Sequence, residues 1–235
     1  MDFSIILDNL GIYLEGLKTT VELVSISLAI GLLMAIPLAV LRTSKNFYVT
    51  APIRVYVYFF RGTPLLVQMF IIYYGFGQFQ FVTGSFLWPL LKEAYFCALL
   101  AFTLNTAAYT TEIIRGAIVA TPFGEIEAAK AIGMSRALMM RRIILPSAFR
   151  RALPTYSNEV IFMLHGSSVA SVITLVDITG AARIINSRFY SPYEAFLTAA
   201  AFYLVITFIL VWLFKKLEHR WYAHLRPREE TVAAG

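Results

Sequence analysis

The sequence predicts an all-α integral membrane protein with five transmembrane helices. Of the 235 residues, 59% are hydrophobic and only 14% are charged, a balance far more apolar than that of soluble domains. The charges cluster between five uncharged runs, each close to the length that a helix needs to cross about 30 Å of hydrocarbon. We therefore expect residues 1–235 to form a single transmembrane domain.

The first two spans follow a weakly acidic start. Residues 1–20 carry three acids against one lysine and are expected to form an outside-facing interfacial segment. Leu23–Leu41, nineteen residues without a charge, is the first span. The second span runs through Leu65–Phe81, and the sequence leaves two starts open, one near Val55 and one after Arg61-Gly62-Thr63-Pro64.

Three further spans complete the count. Ala94–Thr111 is the third, and Ala195–Phe214, which is twenty residues long, is the fifth. Val160–Val176 is the fourth and is rich in Ser, Thr and Gly, which let helices approach closely, so we expect it to line a pathway inside the bundle. Residues 177–194 mix both charge signs and are interpreted as an outer loop.

The distribution of Lys and Arg predicts the orientation. Sixteen of the 20 lie in residues 42–61, in residues 112–158 and in the tail after Phe214, and the other four lie in the remaining segments. The positive-inside rule then places the N-terminus outside and the C-terminus inside. The +6 formal charge is thereby explained without a nucleic-acid partner. With one cysteine and no cluster of histidines, the chain offers no metal site and no catalytic constellation.

A polar, basic segment over residues 121–146 separates the third and fourth spans. It is predicted to form two short helices joined at a turn. Gly133 suits the left-handed backbone of a helix end, and the Ser135 hydroxyl suits the N-cap of the second helix. Leu145-Pro146 is expected to close that helix, because proline lacks the N–H that would continue the hydrogen-bond ladder.

The same segment matches a family motif. Glu127-Ala128-Ala129 is followed after three residues by Gly133, and after nine more by Ile143-x-Leu145-Pro146. This pattern resembles the EAA loop of ABC importer membrane subunits, the cytoplasmic helix pair that docks on the ATPase subunit in that family. The resemblance implies that these seven residues couple the chain to ATP hydrolysis.

The resemblance extends over residues 15–225, to the polar amino acid permeases of type I ABC importers (the histidine/glutamine permease family). Arg61–Gln68, Leu104–Glu112 and Ala152–Glu159 resemble further signatures of that family. Leu164-His165-Gly166-Ser167-Ser168 stands where many relatives have Lys-x-Thr-Ser-Leu. This histidine-bearing version resembles the M-type permeases of histidine/lysine/arginine/ornithine importers and their opine-importing relatives.

The resemblance implies a permease subunit of an ATP-driven, binding-protein-dependent importer in the bacterial inner membrane. Its cargo would be polar, basic amino acids or opines. Its partners would be two ATPase subunits, a related Q-type permease and a periplasmic substrate-binding protein. Because the chain has no G-x-x-x-x-G-K-[ST] phosphate loop, ATP and Mg²⁺ are expected on the partner ATPase, and the chain itself is expected to bind no cofactor and to be no enzyme. The competing interpretation is a self-sufficient secondary transporter, which usually shows an internal repeat.

Polar side chains in or near the spans are candidates for the substrate pathway, because placing them in the membrane is costly. The five candidates are Glu159, Asn105, Asn158, Glu112 and His165. A cationic amino acid would pair with Glu159, while a nearby helix N-terminus would accept its carboxylate. The alternative is that Glu159 pairs with Arg150 or Arg151 across the loop.

The other candidates also have two interpretations each. Asn105 and Glu112 lie seven residues apart and therefore on one helix face, which would line the pathway. Alternatively, Asn105 makes a helix–helix hydrogen bond, and Glu112 pairs with Arg115 at i+3. His165 shares a face with Asn158 by the same spacing, and its alternative role is packing between helices.

Overall fold

The structure, a computed structural model, describes residues 3–222, and within that range it contains helices and turns but no strand. Two π-helical turns, Ile71–Gly75 and Met140–Ile144, and two 3-10 turns, Phe76–Gln78 and Ser167–Ile173, interrupt or extend the α-helices. The α-helices are α1 (Ser4–Asp8), α2 (Leu10–Arg42), α3 (Phe47–Gly62), α4 (Leu65–Phe70), α5 (Gln80–Thr83), α6 (Trp88–Leu91), α7 (Ala94–Val119), α8 (Phe123–Ala131), α9 (Arg136–Met139), α10 (Leu145–Gly166), α11 (Ile178–Phe189) and α12 (Pro192–Trp221).

Three of these helices, α2, α7 and α12, are long and apolar enough to cross a membrane. Two bent helix pairs raise the number to five if each pair is one span: Phe47–Gly62 with Leu65–Gln78, bent by 107°, and Arg136–Ile173 with Ile178–Phe189, bent by 46°. Helix α7 lies at the centre, where it packs against α2, α3, α4 and α10. The molecule is therefore built around α7.

The first span is longer than the sequence suggests. Helix α2 contains 33 residues and begins at Leu10, so it is about 50 Å long. It includes residues 10–20, which were predicted to belong to the interfacial segment. Its N-terminal half packs on the start of α11, where a Cβ on Gly16 would lie 2.6 Å from the Asp177 carbonyl oxygen. The N–H of Ile178 also donates to Thr20 Oγ1, at 3.2 Å. These contacts hold the N-terminal half of α2 against the bundle.

Most of the segment 177–194 is helical, because α11 covers Ile178–Phe189 and α12 begins at Pro192, so its interpretation as a loop is wrong. Asp177 caps α11 by accepting the N–H of Gly180 at 2.7 Å. The apolar residues after the cap recur at helical spacing and are buried, whereas Arg183 and Arg188 remain exposed. The buried residues are Ile178, Ala181, Ala182 and Ile185.

Pro146 does not end a helix, which is a second correction. The chain runs helically from Arg136 through the π turn Met140–Ile144 and on through α10 to Gly166. Pro146 lies in the first turn of α10, directly after the π turn, and the first turn is where a missing N–H is tolerated. The second helix of the polar segment is thereby continuous with the fourth span.

Candidate substrate cavity and coupling hairpin

A cavity of about 740 Å³ lies between the end of α3, the C-terminal half of α7 and the middle of α10. It contains three of the five predicted pathway residues, Glu112, Asn158 and Glu159, and leaves out Asn105 and His165. The polar residues that line it are Arg61, Tyr109, Glu112, Arg151, Thr155, Asn158 and Glu159.

Glu159 is the carboxylate of this cavity without an ion pair. The residue is only 7% exposed, its carboxylate lies near Thr106 of α7, and it shares the lining of the cavity with Arg61 of α3. Within residues 3–222, no Lys or Arg nitrogen lies within 4.0 Å of it. A buried carboxylate without an ion pair is costly, so the arrangement favours a cationic ligand.

Arg151 does not pair with Glu159, and all three of its side-chain nitrogens donate hydrogen bonds elsewhere. Nε and Nη2 donate to the Ala117 carbonyl at 3.3 and 3.1 Å, and Nη2 also donates to Thr121 Oγ1 at 2.7 Å. Nη1 donates to Ser147 Oγ at 2.6 Å. Arg151 thus caps the C-terminal end of α7, where a cation is stabilised by the helix dipole. The alternative pairing of Glu159 with Arg150 or Arg151 is therefore wrong.

Glu112, another carboxylate of the cavity, already has cationic partners. Arg115 Nε donates to its Oε2 at 2.7 Å, which is the i+3 pair that the sequence offered as an alternative. Arg42, at the end of α2, places its Nε 3.5 Å from the other oxygen. The side chains of Arg42 and Glu112 are only 12% and 14% exposed, so this cluster joins the C-terminal end of α2 to the C-terminal half of α7.

Asn105 lies outside the cavity and donates hydrogen bonds to residues on both sides of the break between α3 and α4. Its Nδ2 donates to the Phe60 carbonyl at 3.2 Å and to Gln68 Oε1 at 2.9 Å. Gln68 Nε2 in turn donates to the carbonyls of Phe60 and Thr63 and to Thr63 Oγ1. The geometry matches the helix–helix hydrogen bond that the sequence offered as the alternative for Asn105. Sequence reasoning missed Gln68, although a buried amide four residues after Pro64 is itself a signal of a satisfied helix break.

His165 also lies away from the cavity. Its Nε2 is 3.1 Å from Thr207 Oγ1 on α12, so it joins α10 to the last helix. The seven-residue spacing from Asn158 does not bring it to the cavity, because it lies one turn beyond the lining part of α10. Within residues 3–222, no three His, Cys, Asp or Glu side chains come together as a metal site.

The polar segment after α7 forms a helical hairpin, and its turn has the predicted geometry. Gly133 has φ +76° and ends α8. The N–H of Gly133 donates to Lys130 at 2.9 Å, and that of Met134 to Ala129 at 3.0 Å, the pattern of a Schellman motif. Ser135 Oγ accepts the N–H of Leu138 at 3.3 Å, which confirms the predicted N-cap of α9.

The hairpin presents a mixed apolar and basic surface. Ala129 is 1% exposed and packs into the core beside Ala35 and Ile114, so it stabilises the base of the hairpin and is not a surface residue. Phe123 and Ile132, which sequence reasoning missed, are 70% and 73% exposed. Four of the motif residues are exposed, namely Glu127, Ala128, Gly133 and Pro146. Two others are half-buried, Ile143 and Leu145.

Comparison with known families decides what kind of protein carries this cavity and hairpin. The family of binding-protein-dependent transport system inner membrane components matches residues 27–222. The chain belongs to this family. It is thus a transport permease subunit.

Relatives of this permease are similar over nearly their whole length. The octopine transport system permease protein OccM of Rhizobium meliloti is 50% identical over 219 residues, covering 93% of this chain and 89% of the relative. The histidine/lysine/arginine/ornithine transport system permease protein HisM of Escherichia coli K12 is 47% identical over 218 residues, with 92% of each chain covered. Nothing in the comparisons supports the secondary-transporter interpretation.

Solved structures place the permease in the type I ABC importer fold. The crystal structure of an amino acid ABC transporter with histidines superposes with a TM-score of 0.84 at 34% identity, covering 94% of this chain and 99% of that one. An inward-facing MetNI methionine ABC transporter superposes with a TM-score of 0.75 at 14% identity, a likeness of fold alone. The predicted family and the all-helical type I ABC importer fold are confirmed, and the helices provide three to five candidate spans.

Proposed function

We propose that this chain is the M-type permease of an ATP-driven importer that carries basic amino acids or opines across the bacterial inner membrane. Relatives about half identical to it are named for histidine, lysine, arginine and ornithine or for octopine and nopaline. Octopine and nopaline are arginine derivatives, so these molecules share a basic side chain. The observation that carries the proposal is Glu159, a buried carboxylate without an ion pair in a cavity of about 740 Å³.

The proposed transport cycle depends on the hairpin over residues 121–146. Its exposed Phe123 and Ile132, with the surrounding basic residues, suit docking into a groove on an ATPase. From Arg136 onward the chain is helical as far as Glu159, so the wall of the cavity and the docking surface share one rod. When the ATPase dimer closes, this rod transmits the movement and the cavity opens outward, and hydrolysis returns it to the inside.

The proposed assembly contains two ATPase subunits, a Q-type permease and a periplasmic binding protein. The ATPase subunits hold ATP and Mg²⁺. The permease subunits together form the pathway, with five spans in this chain, its N-terminus outside and its C-terminus inside. The excess of Lys and Arg in the segments 42–61 and 112–158 supports that orientation.

Co-purification tests this proposal. The tagged chain is isolated from its native host in mild detergent, and the bound polypeptides are identified by mass spectrometry. We expect an ATPase and a second, non-identical permease. A complex that contains the ATPase but only copies of this chain contradicts the heterodimer, and the absence of any ATPase after mild crosslinking contradicts the importer.

A further inference from the structure

The cavity that holds Glu159 contains two arginines whose guanidinium groups have different surroundings. Arg151 donates hydrogen bonds from all three of its side-chain nitrogens. Arg61 makes no side-chain hydrogen bond within residues 3–222, and its guanidinium carbon lies 5.1 Å from the centre of the Tyr109 ring. Of the two arginines, Arg61 is therefore the one with donors free for a ligand.

Arg61 is held in place although its donors are free. It stacks over Tyr109 on α7, and the hydroxyl of Tyr109 donates to the Arg61 carbonyl at 3.4 Å. The residue ends α3, directly before the bend at Thr63-Pro64. A stacked guanidinium keeps its edge available, and that edge matches a carboxylate with two parallel hydrogen bonds.

The cavity offers no helix N-terminus to a carboxylate among the residues that line it. Helix α7 contributes its C-terminal end, with Gly116 and Ala120, and α10 contributes its middle. The C-terminal end of a helix carries partial negative charge and repels an anion. The residues that line the cavity therefore do not include the helix N-terminus that the sequence suggested for the cargo carboxylate, and the guanidinium of Arg61 offers hydrogen-bond donors in its place.

We propose that Arg61 binds the α-carboxylate of the cargo while Glu159 binds its basic side chain. This inference rests on the proposed function, and it adds a carboxylate requirement to the cargo. The two side chains line the same cavity, and no nitrogen of Arg61 lies within 4.0 Å of the Glu159 carboxylate. A ligand with a cation and a carboxylate gives each of them a direct partner, whereas an amine or a neutral amino acid leaves one unpaired.

Ligand pairs that differ by one group test the assignment. Binding of radiolabelled L-arginine to the purified permease–ATPase complex is measured without the binding protein, which would impose its own specificity. The competitors are agmatine, which lacks the carboxylate, and L-citrulline, which carries a neutral urea group in place of the guanidinium. For the wild type we expect each competitor to bind about tenfold to a hundredfold more weakly than L-arginine, as loss of a charged hydrogen bond predicts.

Arg61→Gln should lose the preference for L-arginine over agmatine, and Glu159→Gln should lose the preference for L-arginine over citrulline. In Arg61→Gln, L-arginine should fall to the affinity of agmatine while its advantage over citrulline persists. In Glu159→Gln, L-arginine should fall to the affinity of citrulline while its advantage over agmatine persists. Arg61→Lys should keep part of the preference for the carboxylate, since it retains the charge but not the planar fork.

Arg54→Gln is the matched control, because Arg54 is an exposed arginine on the same helix and outside the cavity. It should bind all three ligands as the wild type does. Equal weakening of all three ligands in Arg61→Gln means that Arg61 only supports the structure, and unchanged affinities also overturn the inference. If Glu159→Gln still binds L-arginine more tightly than citrulline by the wild-type factor, that result contradicts the proposed cargo site. If the wild-type complex binds none of the three ligands with or without ATP, the assignment of Arg61 and the proposed cargo site are both contradicted.

Discussion

Asn105 and Asn158 are the same residue type on neighbouring helices, yet their surroundings are opposite. Asn105 is 8% exposed and donates to Phe60 and Gln68 at the break between α3 and α4. Asn158 is exposed, lines the cavity and makes no side-chain hydrogen bond within residues 3–222. One asparagine is therefore a structural anchor, and the other is available to a ligand.

Alanine substitution should separate these two roles. Asn105→Ala leaves the buried oxygen of Gln68 without its donor, so it should lower the free energy of unfolding by about 1–3 kcal/mol. Asn158→Ala should leave stability unchanged and weaken cargo binding. Thermal unfolding and L-arginine affinity of the purified complex measure the two effects. If Asn105→Ala melts with the wild type, the link to Gln68 does not stabilise the break.

Which residue roles the sequence reveals depends on how local the deciding contacts are. Gly133 and Ser135 were predictable, because a helix end and an N-cap are settled within a few residues of chain. The role of Asn105 depends on Gln68, 37 residues earlier in the chain, and that of Glu112 depends on Arg42 on another helix. For both residues the sequence could state the alternatives but not choose between them.

At the scale of elements, the misplaced boundaries were those where tertiary packing overrides a local signal. Charged residues suggested a loop at 177–194, but the apolar face of α11 is buried against α2 and α12. Pro146 suggested a helix end, but the π turn before it lets the helix continue. The spans α7 and α12 were found because long apolar runs need no tertiary partner to be recognised.

The turn of the hairpin over residues 121–146 gives a prediction at the scale of elements. Gly133 has φ +76°, and a Cβ added at this position would meet no other atom within 4 Å. Gly133→Val therefore costs only backbone strain, about 1–3 kcal/mol, which should distort the turn and uncouple ATP hydrolysis from transport. Gly133→Asn should remain coupled, because asparagine tolerates the left-handed region.

The measurement is the ATPase activity of the reconstituted complex with and without cargo-loaded binding protein. Gly124→Val is the control, because Gly124 is an exposed helical glycine of the same hairpin whose Cβ would also meet nothing within 4 Å. It adds the same side chain without a positive φ and should remain coupled. Normal cargo stimulation in Gly133→Val would show that the turn geometry does not matter for coupling.

At the scale of the whole molecule, the helices surround α7 unevenly. Helix α2 packs along it closely, and Gly31 is so near that an added Cβ would lie 2.5 Å from Thr106 Cγ2. Helix α12 buries only Ala195 and Ala199 and leaves large apolar side chains exposed along its length. Those side chains suit lipid or a second permease, which agrees with a subunit that works within a larger assembly.

The proposed orientation gives the last prediction, because the hairpin and α11 must then lie on opposite sides of the membrane. Cys97 is the only cysteine and is buried, so Cys97→Ser provides a background free of labelling. Ser187→Cys on α11 and Ala137→Cys on α9 each place one thiol at an exposed position. In intact spheroplasts, a membrane-impermeant maleimide should label Ser187→Cys, and it should reach Ala137→Cys only after permeabilisation. Labelling of both from one side would mean that the chain between them does not cross the membrane, and the reverse pattern would invert the orientation and place the hairpin away from the ATP supply.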